Sequence, residues 1–263
     1  MCLLVLAWRM HARHRLIVAA NRDEYHARAA APLAPWPEAS EVFGGRDLQA
    51  GGAWFAADTR GRVGIVTNFR EFGRRRRSAP SRGGLIPAFL AGDATPAQYL
   101  HCIETDAPGY AGFNLLLSDD DTLWYASNRA DRFARSLSPG VYGLSNEFLD
   151  TPWPKLVRVR ARFEALLRSA DAERPDLLSA ALFEMLSDRA TVPPQGLPPS
   201  DLDPEWARKL SAPFVLDAEY GTRCSTILTI GVDGALAMAE RRFDAAGNST
   251  GQTEHVLNAD ERH

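Results

Sequence analysis

Short apolar segments separated by polar turns recur along most of this chain, and this spacing is typical of β-hairpins. The first pair is residues 2–8 and 15–20, with a turn at residues 9–14. A hairpin joins strands that run antiparallel, so the pattern predicts antiparallel sheets. The further strands that it predicts are 52–57 with 62–69, 113–117 with 122–126, 222–231 with 235–243, and two more near 141–145 and 252–257.

Four segments between the hairpins have the pattern of helices, at 84–92, 95–104, 153–169 and 175–187. Thr95 and Pro96 are typical of an N-cap and a first helical position. Hairpins on both sides of a helical pair predict two stacked sheets with helices outside, in one α+β domain of residues 1–263. The segments expected to be irregular are 27–45, a long surface loop, and the proline-rich 193–204.

Composition excludes several classes of protein. The 263 residues carry a net charge of −3 and have a pI near 6.1, so we expect no nucleic-acid partner. The first apolar segment is too short for a secretory signal, and no segment approaches the ~20 apolar residues that span a bilayer. Three cysteines without close spacing fit a reducing compartment. We therefore expect a cytoplasmic protein with no integral membrane segment. The sequence does not determine its oligomeric state.

The common motifs for serine nucleophiles, zinc and nucleotides are absent from the sequence. The six histidines lack ligand spacing, so we expect no metal site and no resident cofactor. Residues 119–121 are three aspartates that fit a solvated turn. Residues 74–77 are four arginines that fit a solvated loop or, alternatively, a patch for anions or lipid headgroups.

Cys2 follows the initiator methionine directly, at the head of the first predicted strand. A small second residue permits removal of Met1, and the chain would then begin with a thiol and a free α-amine on one residue. Because an α-amine titrates near ~7.7–8.0, it can accept a proton at neutral pH. Cys2 is therefore a candidate nucleophile with its own base. The alternative is a cysteine that packs as a small apolar residue in a strand.

The tetrad Asn21-Arg22-Asp23-Glu24 ends the strand that pairs with the first one, so it can lie beside Cys2. A carboxylate there would hold the α-amine, and a guanidinium would favour the thiolate. Strand alternation predicts that Asn21 or Arg22 points away from the cleft and that Asp23 shares the face of Asn21. With such an environment, Cys2 is expected to react with iodoacetamide faster than Cys102 or Cys224 near pH 7.

Three more strand ends carry polar residues that could join this site. Asn68 and Asn146 each end a predicted strand, and their amides could donate to a developing oxyanion. Arg223 opens another strand and would bring a second cation. Each of these residues, taken alone, is better explained as a turn residue or a strand cap, and it is their joint presence with Cys2 that favours a shared site.

Short motifs of recognisable order run along nearly the whole chain. They are Met1-Cys2, Ala19-Ala20-Asn21-Arg22-Asp23-Glu24, Gly51-Gly52-Ala53-Trp54, Thr67-Asn68, Gly112-Phe113-Asn114-Leu115, Tyr142-Gly143-Leu144-Ser145-Asn146, Thr151-Pro152-Trp153 and Tyr220-Gly221-Thr222-Arg223. These motifs resemble those of the NRDE family, the bacterial relatives of the eukaryotic transport-and-Golgi-organisation protein. That family is similar in turn to N-terminal-nucleophile hydrolases of the choloylglycine hydrolase and penicillin V acylase kind, whose fold is a four-layer αββα sandwich.

The resemblance implies a role for each candidate residue. Cys2 would be the nucleophile and Asp23 would hold its amine, while Arg223 would lie close to the thiolate. The two asparagines, Asn68 and Asn146, would lie near the oxyanion. The hydrolases have an arginine three residues before the aspartate, where this chain has Ala20, and Arg22 is the candidate to replace it.

Two functions from different classes fit these observations. The first is an amidohydrolase that cleaves a linear, non-peptide C–N amide bond with an apolar acyl arm. The second is a non-catalytic protein that binds and carries haem or an acyl lipid such as acyl-CoA, because the NRDE family is associated with haem mobilisation and lipid homeostasis. The sequence has no Cys-Pro dipeptide and no paired histidines, so a lone histidine or a thiol would have to ligate haem iron.

Overall fold

The computed structural model describes residues 2–71, 80–199 and 201–261, so the arginines at 74–77 lie outside the described residues. Within these ranges the chain forms thirteen strands and five α-helices. The strands are β1 (Cys2–Trp8), β2 (His14–Tyr25), β3 (Ala30–Trp36), β4 (Ala39–Asp47), β5 (Gly52–Asp58), β6 (Val63–Asn68), β7 (Phe113–Ser118), β8 (Leu123–Ser127), β9 (Ala134–Ser136), β10 (Gly140–Leu144), β11 (Tyr220–Gly231), β12 (Leu236–Phe243) and β13 (Ser249–Leu257). The helices are α1 (Leu85–Ala91), α2 (Pro96–Ile103), α3 (Pro154–Leu167), α4 (Pro175–Leu186) and α5 (Pro204–Leu210).

The strands form two antiparallel sheets. The first sheet has the order β10-β1-β2-β11-β12-β13, and the second has the order β3-β4-β5-β6-β7-β8-β9. The second sheet is built almost entirely from sequence neighbours, as a chain of hairpins requires. The first sheet instead joins the two ends of the chain, because β2 pairs with β11 over the length of both twelve-residue strands.

Side chains alternate along β1 between two different cores. Leu4, Leu6 and Trp8 pack in the apolar cluster between the two sheets, whereas Leu3 and Val5 pack against α3 and α4. A strand buried on both faces reads as a continuous apolar run, which explains the sequence of β1. A third cluster packs α1 and α2 on the outer face of the second sheet. The layers are therefore αββα, and the predicted four-layer sandwich is confirmed.

The predicted hairpins and helices are confirmed with small changes in their ends, and Thr95 forms a capping box at the start of α2. The prediction of a long loop at 27–45 is wrong, because β3 and β4 lie there. Pro32 and Pro35 are tolerated in β3 because this strand is at the edge of its sheet, where a missing N–H costs no ladder bond. Helix α5 was also not predicted; it follows Asp203, whose side chain accepts a hydrogen bond from the Trp206 N–H.

Among the described helices, none is both long enough and apolar enough to cross a membrane.

Candidate active site

Several strand ends meet at one end of the sandwich, and their side chains line a cavity of about 1000 Å³. Cys2, the first residue of β1, lies opposite Arg22 of β2. Asp23 lies opposite Thr222 of β11. The cavity brings together five of the six residues that the sequence singled out, namely Cys2, Arg22, Asp23, Asn68 and Asn146.

Asn146 connects Cys2 to the opposite sheet. The backbone nitrogen of Cys2 donates a hydrogen bond to Asn146 Oδ1 at 2.7 Å. The Asn146 amide nitrogen donates to the backbone oxygen of Asn68, the last residue of β6, at 2.8 Å. Because a carbonyl accepts and an N–H donates, these two partners fix the orientation of the Asn146 amide. Asn146 has a φ of 59°, in the left-handed region that asparagine tolerates better than most residues.

Asp23 is buried beneath the cavity, with 2% of its surface exposed. Its Oδ1 accepts a hydrogen bond from the Thr222 hydroxyl at 2.7 Å, and its backbone oxygen accepts one from the Tyr220 hydroxyl at 2.9 Å. Burial raises the pKa of Asp23, and the Lys155 ammonium is the charge that opposes this rise most strongly. Asn21 donates instead to the backbone oxygen of Leu186 on the helix side, away from the cavity.

Arg22 lies on the other face of β2, between the two sheets and directly beside Cys2. Its guanidinium stacks over the ring of Trp54 at 4.2 Å from the ring centroid. Burial raises the pKa of the Cys2 thiol above its usual value, although the N-terminal ammonium and, less strongly, the positive charge of Arg22 oppose the rise. The thiol is therefore protonated at neutral pH in this form of the chain, in which Met1 precedes Cys2.

Arg223 is the one candidate that the structure does not bring to the cavity lining. Its guanidinium donates to the backbone oxygens of Tyr25 at 2.8 Å and Arg28 at 3.0 Å. The reason is an irregularity in the pairing of β2 with β11 between Thr222 and Cys224, which changes the direction of the residue between them. The expected contact of Arg223 with the thiolate is replaced by a role in holding the end of β2.

Sequence reasoning missed two cations of the site, Lys155 and Arg82. Lys155, at the start of α3, is 3% exposed, and burial lowers its pKa to about 8 with Asp23 as the main opposing charge. The chain has 28 arginines and only two lysines, so a lysine next to an apolar helix face was a usable signal. Arg82 lines the cavity but follows an ordinary basic loop in the sequence, which gives no such signal.

No group of three or more histidines, cysteines or acidic residues that could hold a metal ion occurs in the described parts of the chain. The described lining of the cavity also contains no histidine. Among the described lining residues, Cys2, Tyr25 and Tyr220 therefore have the side-chain types that can ligate haem iron.

The sandwich has the architecture of N-terminal-nucleophile hydrolases. A solved structure of the Caenorhabditis elegans ortholog of N-acylethanolamine-hydrolyzing acid amidase is similar, with a TM-score of 0.50 over 86% of this chain and 92% of that one. The sequences are 12% identical, so this likeness establishes the fold alone.

The chain belongs to the Transport and Golgi organisation 2 family, whose family model matches residues 1–245. It is 35% identical to the Transport and Golgi organization protein 2 homolog of Bos taurus and 33% identical to that of Homo sapiens, each over 87% of this chain and 86% of the relative. The Transport and Golgi organization protein 2 of Drosophila melanogaster is 25% identical over 86% of both chains.

Proposed function

We propose that this protein is an N-terminal cysteine amidohydrolase, which cleaves a non-peptide C–N amide bond with an apolar acyl arm after Met1 has been removed. The observation that supports this most directly is the 2.7 Å hydrogen bond from the Cys2 nitrogen to Asn146 Oδ1. Once Met1 is gone, that nitrogen is an α-amine, which titrates near ~7.7–8.0 and shares its residue with the thiol.

The reaction begins when the α-amine accepts the thiol proton and Sγ attacks the amide carbonyl carbon. The new C–S bond turns the carbonyl oxygen into an oxyanion. Asn146 donates one of its two amide hydrogens to Asn68 and has a second one for this oxyanion, and the Asn68 amide lines the same cavity. The amine then gives its proton to the leaving nitrogen, and the C–N bond breaks to leave a thioester. Water, deprotonated by the amine, hydrolyses the thioester and releases the carboxylic acid.

Asp23 and Arg22 affect the protonation of the Cys2 amine and of the Cys2 thiol. The Asp23 carboxylate favours the protonated form of the amine, so it supports the amine as a proton acceptor. Arg22 favours the thiolate and so opposes the effect of burial on Cys2. Removal of Met1 moves the N-terminal ammonium, which already opposes the rise, onto Cys2 itself, and at this shorter distance it lowers the thiol pKa more strongly. The raised pKa of the unprocessed form therefore agrees with a nucleophile that processing activates.

Intact mass and turnover together test this proposal. The protein from cells should have lost Met1, and it should repeatedly hydrolyse a neutral probe such as N-decanoyl 4-nitroanilide, with a rate that rises through the pKa of the amine. Cys2→Ala should lower the rate by about 10³-fold or more. Cys102→Ser is the matched control, because Cys102 is exposed on α2 and should leave the rate unchanged. A retained Met1, or full turnover in Cys2→Ala, would exclude the mechanism.

A second candidate function is that of a carrier for haem or an acyl lipid such as acyl-CoA. Its support is the size of the cavity, about 1000 Å³, and its aromatic lining, which includes Trp54, Phe69 and Trp206. A carrier should bind decanoyl-CoA in a 1:1 complex, without turnover and equally well in Cys2→Ala. Haem bound through sulfur should lose its thiolate spectrum in Cys2→Ala. Turnover that depends on Cys2, without such binding, would exclude the carrier.

We further propose a reducing compartment, the cytoplasm, as the place of this activity. Cys2, Cys102 and Cys224 are all free, and a nucleophilic thiol is preserved where thiols stay reduced. Fractionation of cells that express the protein, followed by immunoblotting, tests the compartment directly.

A further inference from the structure

Arg82 is held over the cavity by the segment around it. It begins a short 3-10 helix, Arg82–Gly84, whose N-terminus is capped by the Ser81 hydroxyl, which accepts from the Gly83 N–H at 3.3 Å. The guanidinium nitrogen Nη1 donates to the backbone oxygen of Gly112 at 2.9 Å. The capped helical turn positions the backbone of Arg82, and Gly112, the residue before β7, holds the tip of its side chain.

A contact between two glycines sets the distance of this segment from the sheet. Gly52, the first residue of β5, lies so close to Gly83 that a Cβ on Gly52 would overlap the Gly83 carbonyl group. Gly83 in turn has the Cα of Gly52 as its nearest neighbour, at 3.1 Å from an added Cβ. Gly84, by contrast, has open space at its Cβ position. The close approach of Gly52 and Gly83 keeps Arg82 against the wall of the cavity.

Two carboxylates in the cavity lining are already paired with arginines other than Arg82. Asp47 pairs with Arg28 at 2.6 Å, and Glu71 pairs with Arg129 at 2.6 Å. The Arg82 guanidinium makes one hydrogen bond and no ion pair among the described residues. Burial lowers the pKa of Arg82, and the thiolate form of Cys2 opposes this most strongly. A largely buried guanidinium with most of its five N–H donors uncommitted thus lines the same cavity as the candidate nucleophile.

The two sides of the cavity differ in polarity. A neighbouring cavity of about 410 Å³ shares Phe69 and Arg70 with the main one, and its other lining residues are Glu147, Thr151, Pro152, Trp153, Pro198 and Pro199. Its rings and prolines make this the more apolar side, which suits an acyl arm. Arg82 does not line that cavity and belongs to the polar side of the main one, with Glu24 and Arg28. We consider an amide ligand with its carbonyl carbon at Cys2 Sγ and its acyl arm on the apolar side. The amine part of this ligand then points toward Arg82.

We propose that Arg82 binds an oxyanionic group, a carboxylate or a phosphate, on the amine part of the ligand. The substrate class is then an N-acyl amide with a negatively charged amine part. This inference rests on the proposed hydrolysis for the orientation of the ligand, but the recognition of the anion is a binding property that does not require turnover. Charge-assisted hydrogen bonds to a guanidinium are among the strongest in proteins and suit both oxyanions.

Binding to the Cys2→Ala protein tests the inference without hydrolysis. The probes are N-decanoylglycine and N-decanoylethanolamine, which differ in the carboxylate, and the readout is the Kd from titration calorimetry. The glycine probe should bind at least about tenfold more tightly at low salt, and its advantage should shrink as salt rises. Arg82→Gln in the same background should remove the advantage, whereas Arg82→Lys should keep part of it. Arg132→Gln is the control, because Arg132 is exposed and outside the cavity.

A third probe, N-decanoyl phosphoethanolamine, distinguishes the two oxyanions. Tighter binding than the glycine probe would assign phosphate, and weaker binding would assign carboxylate. Equal affinity for the anionic and neutral probes, or an advantage that survives Arg82→Gln, would overturn the inference. So would a result in which Arg82→Gln leaves probe binding unchanged in the Cys2→Ala background but slows alkylation of Cys2 in the chain that keeps this cysteine, since Arg82 would then act on the thiolate.

The glycine contact supplies a second variant that keeps the arginine. Gly52→Ala should displace the Arg82 segment and reduce the advantage of the glycine probe, while Gly84→Ala should leave it unchanged. An unchanged advantage in Gly52→Ala would contradict the positioning by the two glycines. If the Arg82-dependent advantage is found without any amide turnover, the hydrolase proposal fails and this inference stands. If turnover is found without a preference for the anionic probe, the hydrolase proposal stands and this inference fails.

Discussion

The backbone nitrogen of Cys2 donates a 2.7 Å hydrogen bond to Asn146 Oδ1. The Asn146 amide group also bonds to the backbone oxygen of Asn68 in the opposite sheet, and the backbone oxygen of Asn146 accepts from the Arg70 N–H at 2.7 Å. A single residue in the left-handed region therefore ties the start of the chain to both sheets at the end of the sandwich that holds the cavity.

Substitutions of Asn146 should separate its side-chain bonds from its backbone conformation. Asn146→Gly keeps the positive φ without strain but loses both side-chain bonds, so it should cost about 1–3 kcal/mol of unfolding free energy. Asn146→Ala should cost about 1 kcal/mol more, because a Cβ disfavours the left-handed region. Urea denaturation measures both values. Equal stabilities for Gly and Ala would mean that the backbone conformation contributes nothing.

The three cysteines should react with iodoacetamide in an order that depends on Met1. While Met1 is attached, exposed Cys102 should react first, because burial raises the pKa of Cys2 and raises that of Cys224 well above its usual value. After removal of Met1 the N-terminal ammonium is on Cys2 itself and lowers the thiol pKa more strongly, so Cys2 should react first near pH 7. Peptide mapping by mass spectrometry gives the rates for both forms. An unchanged order after processing would argue for a packed, inert cysteine.

Stability should rise with pH on the alkaline side because of Lys155. Its pKa falls from 10.5 to about 8 on folding, so between these values the unfolded chain binds more protons and the unfolding free energy increases with pH. The full effect is about 3 kcal/mol, and Lys155→Met should flatten this part of the profile. The other lysine, Lys209, gives the control, because Asp217 raises its pKa and the sign is opposite. Identical slopes for wild type and Lys155→Met would contradict the assignment.

Trp54 should affect the thiol through Arg22. Trp54→Leu removes the ring under the guanidinium, which should cost about 0.5–2 kcal/mol. It should also raise the pKa of Cys2, because Arg22 is then free to move away. Trp36→Leu is the matched control for Trp54→Leu. The Arg46 guanidinium stacks over the Trp36 ring, at 4.4 Å from the ring centroid, and Trp36 does not line the cavity. The pH profile of Cys2 alkylation should shift in the first variant only; the same shift in both variants would point to a general loss of packing.

Much of the fold was predictable because alternation and turn spacing are local properties. The apolar run of β1 and the hairpins of both sheets follow from them, as does the helical stripe of α3. β3 was missed because prolines argue against a strand, and only the position at a sheet edge makes them acceptable. That position depends on which strands lie beside it, which the local sequence does not contain.

The positions of candidate site residues could be predicted where they depend on the pairing of neighbouring strands. They could not be predicted where they depend on contacts between distant segments. Cys2, Arg22 and Asp23 lie on two strands joined by a short turn, so their proximity could be inferred. Lys155 reaches Asp23 from a helix more than a hundred residues away. Arg223 was expected near the thiolate, but an irregularity in the β2–β11 pairing turns it away. Such irregularities leave no mark in an apolar pattern.

The strands hold the candidate reactive residues, whereas connecting segments form much of the cavity wall, so ligand specificity can change without a change in the reactive residues. The candidate reactive groups lie at the ends of β1, β2 and β6 and just after β10, where the pairing of the strands sets their positions. Much of the wall comes from connecting segments, at 69–71 and 80–83, and from α5. Insertions and substitutions in connections leave the sheets intact. Relatives with the same reactive residues can therefore acquire different ligands by altering the wall alone.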